Sequence, residues 1–375
     1  MIYFDNSATT LMKPPEVPAA VKYGIESFGN AGRSFHEPML LANRAIYRTR
    51  ELIAQLIGLA DPLGVAFTSS ATESLNLVIQ SLIETEDHVI TSVAEHNSVL
   101  RPLYLRGCRL SFIECNEAGE LLIDSIGQLI TPATKAVVIS HGSNLTGNVI
   151  DLDAVKQICT EHELLLVVDI SQTFGSCPIT IDQADVFCFT GHKGLFGPQG
   201  TGGIIVGQPL NFRLVKTGGS GDNSFAAFQQ QEMPDIFEAG TLNAPGIYGL
   251  GAGVEFLLQE GREKIRNREY ALTNSFYQAL KDLPELVFYG NYQAADRLPL
   301  VSLNLQGISS TEVSTRLWQQ YHIATRAGSH CAPRLHQHFA TVDQGIVRFS
   351  FSYFNTEAEI EQGISALKNL IKEMY

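Results

Sequence analysis

The stretch Ala184–Gly203, ADVFCFTGHKGLFGPQGTGG, decides how this chain is read. Its apolar run Val186–Phe189 has the length of a buried strand and ends in the sequence TGHKG. Lys193 therefore stands just past a strand end, among Gly191, Gly194 and Gly197. Glycines let a backbone turn tightly and approach a ligand. A lysine held in such a place is set for amine chemistry rather than for solvation.

Outward from this point, short β-branched runs alternate with amphipathic stretches. Strands are predicted at 64–68, 88–92, 135–140, 164–170, 185–190 and 203–206, and helices at 73–82, 97–104 and 151–162. That alternation implies βαβ units and an α/β fold with a mostly parallel sheet covered on both faces. After about Thr241 the pattern changes. Long helices are predicted at 246–260 and 262–281, strands at 286–289, 300–305 and 347–353, and helices at 311–321 and 356–374. This second part reads as an α+β lobe.

The totals exclude several classes. A net charge of −13 leaves no basic footprint for nucleic acid. No apolar run approaches the roughly 18 residues of a membrane span. The opening MIYFDNSATT has neither the basic nor the long apolar region of a secretory leader, so a cytoplasmic protein is expected. The six cysteines show no CxxC spacing and are expected as free thiols. Cys331, His336 and His338 form C-x4-H-x-H, which fits no well-formed zinc pattern, so no metal is expected. GLGAG at 249–253 lacks the preceding strand and the spacing of a dinucleotide fingerprint.

Ligands in open α/β sheets sit beyond the carboxyl ends of the strands. Polar residues follow each apolar run here: Ser69–Thr72, Glu95 and His96, Asn144, Asp169 and Gln172, and Lys193. The set suits pyridoxal phosphate. A lysine can hold its aldehyde as a Schiff base, and an aspartate can keep its ring nitrogen protonated. The start of a helix at Thr72 can take its phosphate. An imidazole such as His96 can stack on its ring.

Nine segments in order, DNSATT (5–10), TSSATESLN (68–76), AEHNSV (94–99), SNLTG (143–147), DISQ (169–172), TGHK (190–193), EAGT (238–241), RAGSHCAP (326–333) and RFSFSYFNT (348–356), carry a resemblance from end to end. The chain resembles the class V aminotransferase family and, within it, the cysteine desulfurases and selenocysteine lyases. The resemblance implies a fold-type I pyridoxal phosphate enzyme. Its large domain would span 15–245 around a seven-stranded type of sheet, and its small domain would join 1–14 to 246–375. It implies Lys193 as the Schiff-base lysine, Asp169 at the pyridine nitrogen, Gln172 near the phenolic oxygen, and Asn144 and His96 beside the ring. It implies a phosphate cup of Ala71, Thr72, Thr190 and His192. Thr241 would reach the cofactor of a neighbouring subunit, so a homodimer is implied.

Arg348 matches the family's substrate-carboxylate arginine, a role suited to a guanidinium because its two parallel N–H groups fork onto a carboxylate. Cys331 lies in a Gly- and Pro-marked loop beside Arg326, His330 and Arg334, a setting expected to favour a thiolate. The implied reaction takes L-cysteine to L-alanine. Lys193 removes the Cα proton, the Cys331 thiolate takes the sulfur as a persulfide for an acceptor protein, and His96 shuttles a proton. The loop is similar to the short-loop, RxGxHCAxP-like group. It departs from that group at Ser329 and Arg334, and Leu242 follows EAGT where proline is common. L-selenocysteine remains an alternative substrate, and a β-eliminating cysteine or cystine lyase giving pyruvate an alternative enzyme. A non-catalytic scaffold is disfavoured by Lys193, Asp169 and Arg348 occurring together.

Overall fold

The computed structural model describes residues 1–31, 36–219 and 225–374. The chain opens with β1 (Ile2–Tyr3) and two helices, Glu16–Ser27 and Glu37–Ile57. The large sheet follows, from β2 (Val65–Thr68), β3 (His88–Ser92), β4 (Arg109–Ile113), β5 (Thr134–Ser140), β6 (Leu165–Asp169), β7 (Val186–Thr190) and β8 (Gly202–Val206). Their spatial order is β2-β8-β7-β6-β5-β3-β4. All neighbours run parallel except β8, which is antiparallel to both β2 and β7. The reason is local: the segment between β7 and β8 holds no helix, and a parallel return needs a helical crossover.

Both sheet faces are buried, which explains the continuous apolar runs. On one face Val137, Ile139, Val168, Phe187 and Phe189 meet Ile53 and Leu56 of the long second helix. On the other, Val138, Val167, Cys188 and Ile204 pack on Val78 and Val99. Each such side chain contributes about 1.5–3 kcal/mol by leaving water. Cys188 is simply one of these apolar residues.

The C-terminal part adds helices Ala244–Glu260 and Arg262–Gln278, then β9 (Leu286–Tyr289) and β10 (Leu300–Leu305). Helix Ser310–Tyr321, β11 (Ile323–Ala324), β12 (Val347–Ser350) and helix Glu357–Met374 complete it. The order β12-β10-β9 forms an antiparallel sheet over its own core, which includes Phe276, Val301, Leu303, Phe349 and Leu367. The chain's first residues belong to this second core. Ile2 and Phe4 are part of it, β1 pairs in parallel with β11, and the Phe4 ring meets Phe351 edge-on at 5.0 Å. Asp5–Thr10 is thereby led from the small sheet across to the loop of Lys193, where Thr10 N donates to His192 O. GLGAG lies inside helix Ala244–Glu260, where Cβ atoms at Gly249, Gly251 and Gly253 would strike Val21, Thr49 and Leu195. Those glycines serve close helix packing. Among the described residues, no helix is long and apolar enough to cross a membrane.

Candidate active site

The carboxyl ends of β2, β3, β5, β6 and β7 surround a cavity of about 210 Å³. Ten predicted residues line it: Ala71, Thr72, His96, Asn144, Asp169, Gln172, Thr190, His192, Lys193 and Arg348. Two do not. Thr241 lies exposed after Gly240, whose φ of +96° bends the EAGT segment, and it is not among the residues lining this cavity. Cys331 sits beside the rim. Its carbonyl accepts from Asn97 N at 2.8 Å, and the preceding carbonyl, of His330, accepts from Asn144 Nδ2 at 2.8 Å.

Lys193 follows β7 in an irregular turn, as its glycines suggested. Among the described residues nothing accepts a hydrogen bond from its amine. Burial holds its pKa down to about 8, although Asp169 pulls the other way. An amine without partners and with a lowered pKa is prepared for nucleophilic or base chemistry. Asp169 ends β6. Its Oδ1 accepts from Ser171 N at 2.9 Å and from Ser171 Oγ, while among the described residues Oδ2 has no partner. Gln172 Nε2 donates to Ser7 O at 3.1 Å.

Helix Ala71–Leu82 presents its N-terminus to the cavity. Ser70 caps it by accepting from Glu73 N, leaving Ala71 and Thr72 N–H groups at the opening without protein acceptors. Opposite them, Thr190 Oγ1 and His192 Nδ1 are buried with no hydrogen-bond partner. Burial first, then the charge of Lys193, lowers His192 to about 4, so the ring is neutral. Close approach of β8 to this helix start depends on Gly202. A Cβ there would lie 2.7 Å from Phe189 O and 2.8 Å from Ser70 Cα.

His96 caps helix Asn97–Arg106, its Nδ1 accepting from Ser98 N at 3.0 Å. Ser98 Oγ lies 2.8 Å from both that Nδ1 and Thr72 Oγ1. Burial and then Lys193 lower the imidazole to about 4. With Nδ1 accepting from a backbone amide, the neutral ring carries its proton on Nε2.

Arg348, on β12, is 1% exposed. It donates to Asn144 O at 2.9 Å and to Asp5 Oδ1 at 2.8 Å, while its Nε has no partner. Arg326 also lines the cavity, its backbone paired reciprocally with that of Arg348. The sequence reading placed Arg326 beside Cys331 without assigning it to this cavity. It also missed Ser7, Ala8, Ser98 and Ser171 as lining residues. All four lie within quoted segments, Ser7 and Ala8 in DNSATT, Ser98 in AEHNSV and Ser171 in DISQ, but small residues there carry no signal of which way they face.

The Cys331 setting differs from the expected cationic one. His330 is buried, donates to or accepts nothing at Nδ1, and is lowered to about 3 by burial. Arg334 lies over the Phe112 ring at 3.6 Å. Arg326 is left as the cation of that cluster which faces the cavity. His330 and Cys331 are consecutive non-glycine residues at φ +48° and +57°, a left-handed backbone that costs about 1–3 kcal/mol per residue and collects at functional sites. His336 and His338 bond Thr341 and Asn116, respectively, rather than converging on Cys331.

An open, mostly parallel sheet with an amine, a carboxylate and an anion cradle at its carboxyl edge, beside a second antiparallel lobe, is the architecture of fold-type I enzymes of the pyridoxal phosphate class. The chain belongs to the class-V aminotransferase family, whose model matches residues 2–362. It is 30% identical to a probable cysteine desulfurase of Pyrococcus abyssi over all of this chain and 95% of that protein. It is 29% identical to the cysteine desulfurase CsdA of Escherichia coli over 99% of this chain and 94% of the other. Among solved structures, the apo cysteine desulfurase of Thermococcus onnurineus NA1 superposes with a TM-score of 0.92 at 30% identity, covering 99% of this chain and 95% of that one. The S-sulfonic acid form of E. coli CsdA gives 0.87 at 27% identity, covering 99% and 94%.

Proposed function

We propose that this chain is a pyridoxal phosphate-dependent cysteine desulfurase that converts L-cysteine to L-alanine and leaves the sulfur as a persulfide on Cys331. The observation that carries the reading is one cavity that joins an unpartnered Lys193 amine, a free Asp169 Oδ2 and a helix start with the Ala71 and Thr72 amides free, with the Cys331 loop tethered at its rim. The family match and the cysteine desulfurase relatives support the same chemistry.

Pyridoxal phosphate fits these residues. The orphaned Thr190 Oγ1 and His192 Nδ1, with the free amides of Ala71 and Thr72, make a cradle for a phosphate dianion. Asp169 Oδ2 supplies the carboxylate that a pyridinium needs, and Gln172, Asn144 and His96 complete the wall. When bound, the cofactor supplies an electron sink for the carbanion at the substrate Cα.

The chain's own groups do the rest. Arg348 receives the substrate carboxylate through its unpartnered Nε edge. Lys193 Nζ would hold the cofactor aldehyde, and as a free amine it would take the Cα proton, for which a pKa near 8 is well matched. The Cys331 thiolate attacks the substrate sulfur: an S–S bond forms, the C–S bond breaks, and its electron pair with one proton ends on the substrate β-carbon. His96 holds a transferable proton on Nε2 beside this step. Lys193 then returns its proton to Cα, and the products balance as alanine and Cys331 persulfide. Cys331 is partly exposed, so an acceptor protein can collect the sulfur.

The homodimer belongs to the same proposal. Thr241 is exposed in EAGT, and Phe225 and Phe228, which precede it in the chain, are exposed apolar rings, which supports a subunit face there. The two separate cores support a division into a large domain from about 15 and a small domain that joins 1–14 to the C-terminal part, with helix Ala244–Glu260 packed in the large core, so that the boundary proposed at 245 moves past that helix. A product assay tests the function. Purified protein loaded with pyridoxal phosphate should release alanine from L-cysteine, and Lys193→Ala should abolish both that activity and the covalently held chromophore. Pyruvate in place of alanine would assign the chain as a β-lyase.

A further inference from the structure

Glu95 is a buried carboxyl that the proposed mechanism does not use. It is fully inaccessible to solvent, immediately precedes His96, and lies just beyond the end of β3. Its surroundings are unusual for the sheet. β3 stays paired with β4 as far as Ser92–Ile113, but its ladder with β5 ends at Ile90–Val137. β5 continues beside β6 to Ser140–Asp169. The sheet therefore splits between β3 and β5 at its carboxyl edge, and the cavity lies at that edge.

The split leaves the N–H of Ser140 without a strand partner on the β3 side, and a buried amide without an acceptor is costly. Glu95 takes the place of the missing strand. Its Oε1 accepts from Ser140 N at 3.1 Å and from Ser92 Oγ, and its Oε2 bonds Ser140 Oγ at 2.7 Å. Ser140 is itself on the cavity wall, and the next amide, His141 N, donates to Asp169 O at 3.0 Å. One carboxyl thus spans from the strand that leads into His96 to the strand that flanks Asp169.

We propose that Glu95 is a positioning residue that closes the split between β3 and β5 by hydrogen bonding and thereby fixes His96 and Asp169 relative to each other. The proposal rests on the cofactor site assigned above. Burial, with a smaller contribution from Asp169, raises the Glu95 pKa to about 7, so a neutral side chain of the same shape can serve. A glutamine meets the requirement. Its oxygen accepts from Ser92 and Ser140 N–H, and its amide donates to Ser140 Oγ. Alanine leaves the Ser140 amide unsatisfied and the split open.

The test compares wild type, Glu95→Gln, Glu95→Ala and Ser140→Ala for pyridoxal phosphate dissociation constant, kcat and KM with L-cysteine, and thermal midpoint. Glu95→Ala should weaken cofactor binding about tenfold or more and lower kcat, with little change in KM, because Arg348 lies on a different sheet. Glu95→Gln should recover cofactor affinity to within about threefold of wild type. Ser140→Ala, which removes only the Oε2 partner, should fall between them and serves if the alanine variant at 95 does not fold. Unchanged affinity and kcat in Glu95→Ala would overturn the proposal. So would a Glu95→Gln variant as impaired as Glu95→Ala, since charge rather than bridging would then be the requirement. Should wild type bind the cofactor but release no alanine, the desulfurase reading would fail, while the affinity measurements would still decide the role of Glu95.

Discussion

Replacing Arg348 with lysine keeps the charge at the substrate-carboxylate position and removes the fork. In the structure the guanidinium is already half committed, to Asn144 O at 2.9 Å and Asp5 Oδ1 at 2.8 Å. Its Nε, buried and unpartnered, and the remaining N–H on the adjacent nitrogen form the edge left for a carboxylate. A lysine amine can keep one of those two bonds but not both. A hydrogen bond to a charged group contributes about 1.5–3 kcal/mol, so kcat/KM for L-cysteine should fall roughly 10- to 150-fold. The loss should appear mainly in KM, because the carboxylate is held equally before and during reaction. Alanine formation at varied L-cysteine, with the visible cofactor band as a control for an intact site, measures it. A kcat/KM within about threefold of wild type would refute the fork geometry.

Other consequences are equally direct. Apo-protein should capture pyridoxal phosphate at a rate that rises with pH and levels off above about 8, whereas an exposed lysine would keep rising toward about 10.4. The same depressed value means the unfolded chain binds more protons between about 8 and 10.5. Lys193 therefore lowers stability below about pH 8, and that penalty is relieved as pH rises through this window, which denaturant titrations can follow. Asp169→Asn should still bind the cofactor but lose alanine formation by roughly a hundredfold or more. Gly202→Ala forces a methyl group against Phe189 O and Ser70 Cα, neither of which can yield, and should cost about 1–3 kcal/mol in denaturant midpoint together with weaker cofactor binding.

The sheet was legible because it is buried on both faces: β5, β6 and β7 carry the apolar runs AVVI, LLVV and VFCF, and residues at and after their ends line the cavity. What escaped the reading has physical reasons. β4, RLSFI, is an edge strand with its first residue exposed and little apolar continuity. The 21-residue helix Glu37–Ile57 buries Thr49 and Arg50 within its stripe, which blurs the periodicity. Its Arg50 pairs inside the fold with Glu238 of EAGT, a contact 188 residues distant in sequence that no local pattern encodes. β12 stops at Ser350 rather than Tyr353, where the chain turns away toward the final helix. The Asp5–Arg348 contact likewise joins the two ends of the chain. The cationic setting expected for Cys331 assumed that His330 was accessible, and only packing reveals it as buried and neutral.

The central claim is that sulfur passes from substrate to Cys331. Cofactor-loaded protein treated with L-cysteine, quenched with an alkylating agent and digested, should carry one extra sulfur atom on the Cys331 peptide, with alanine formed in equal amount. Cys331→Ala should retain the cofactor band and lose both signals. Stoichiometric alanine or pyruvate with no added sulfur on Cys331 would contradict the account.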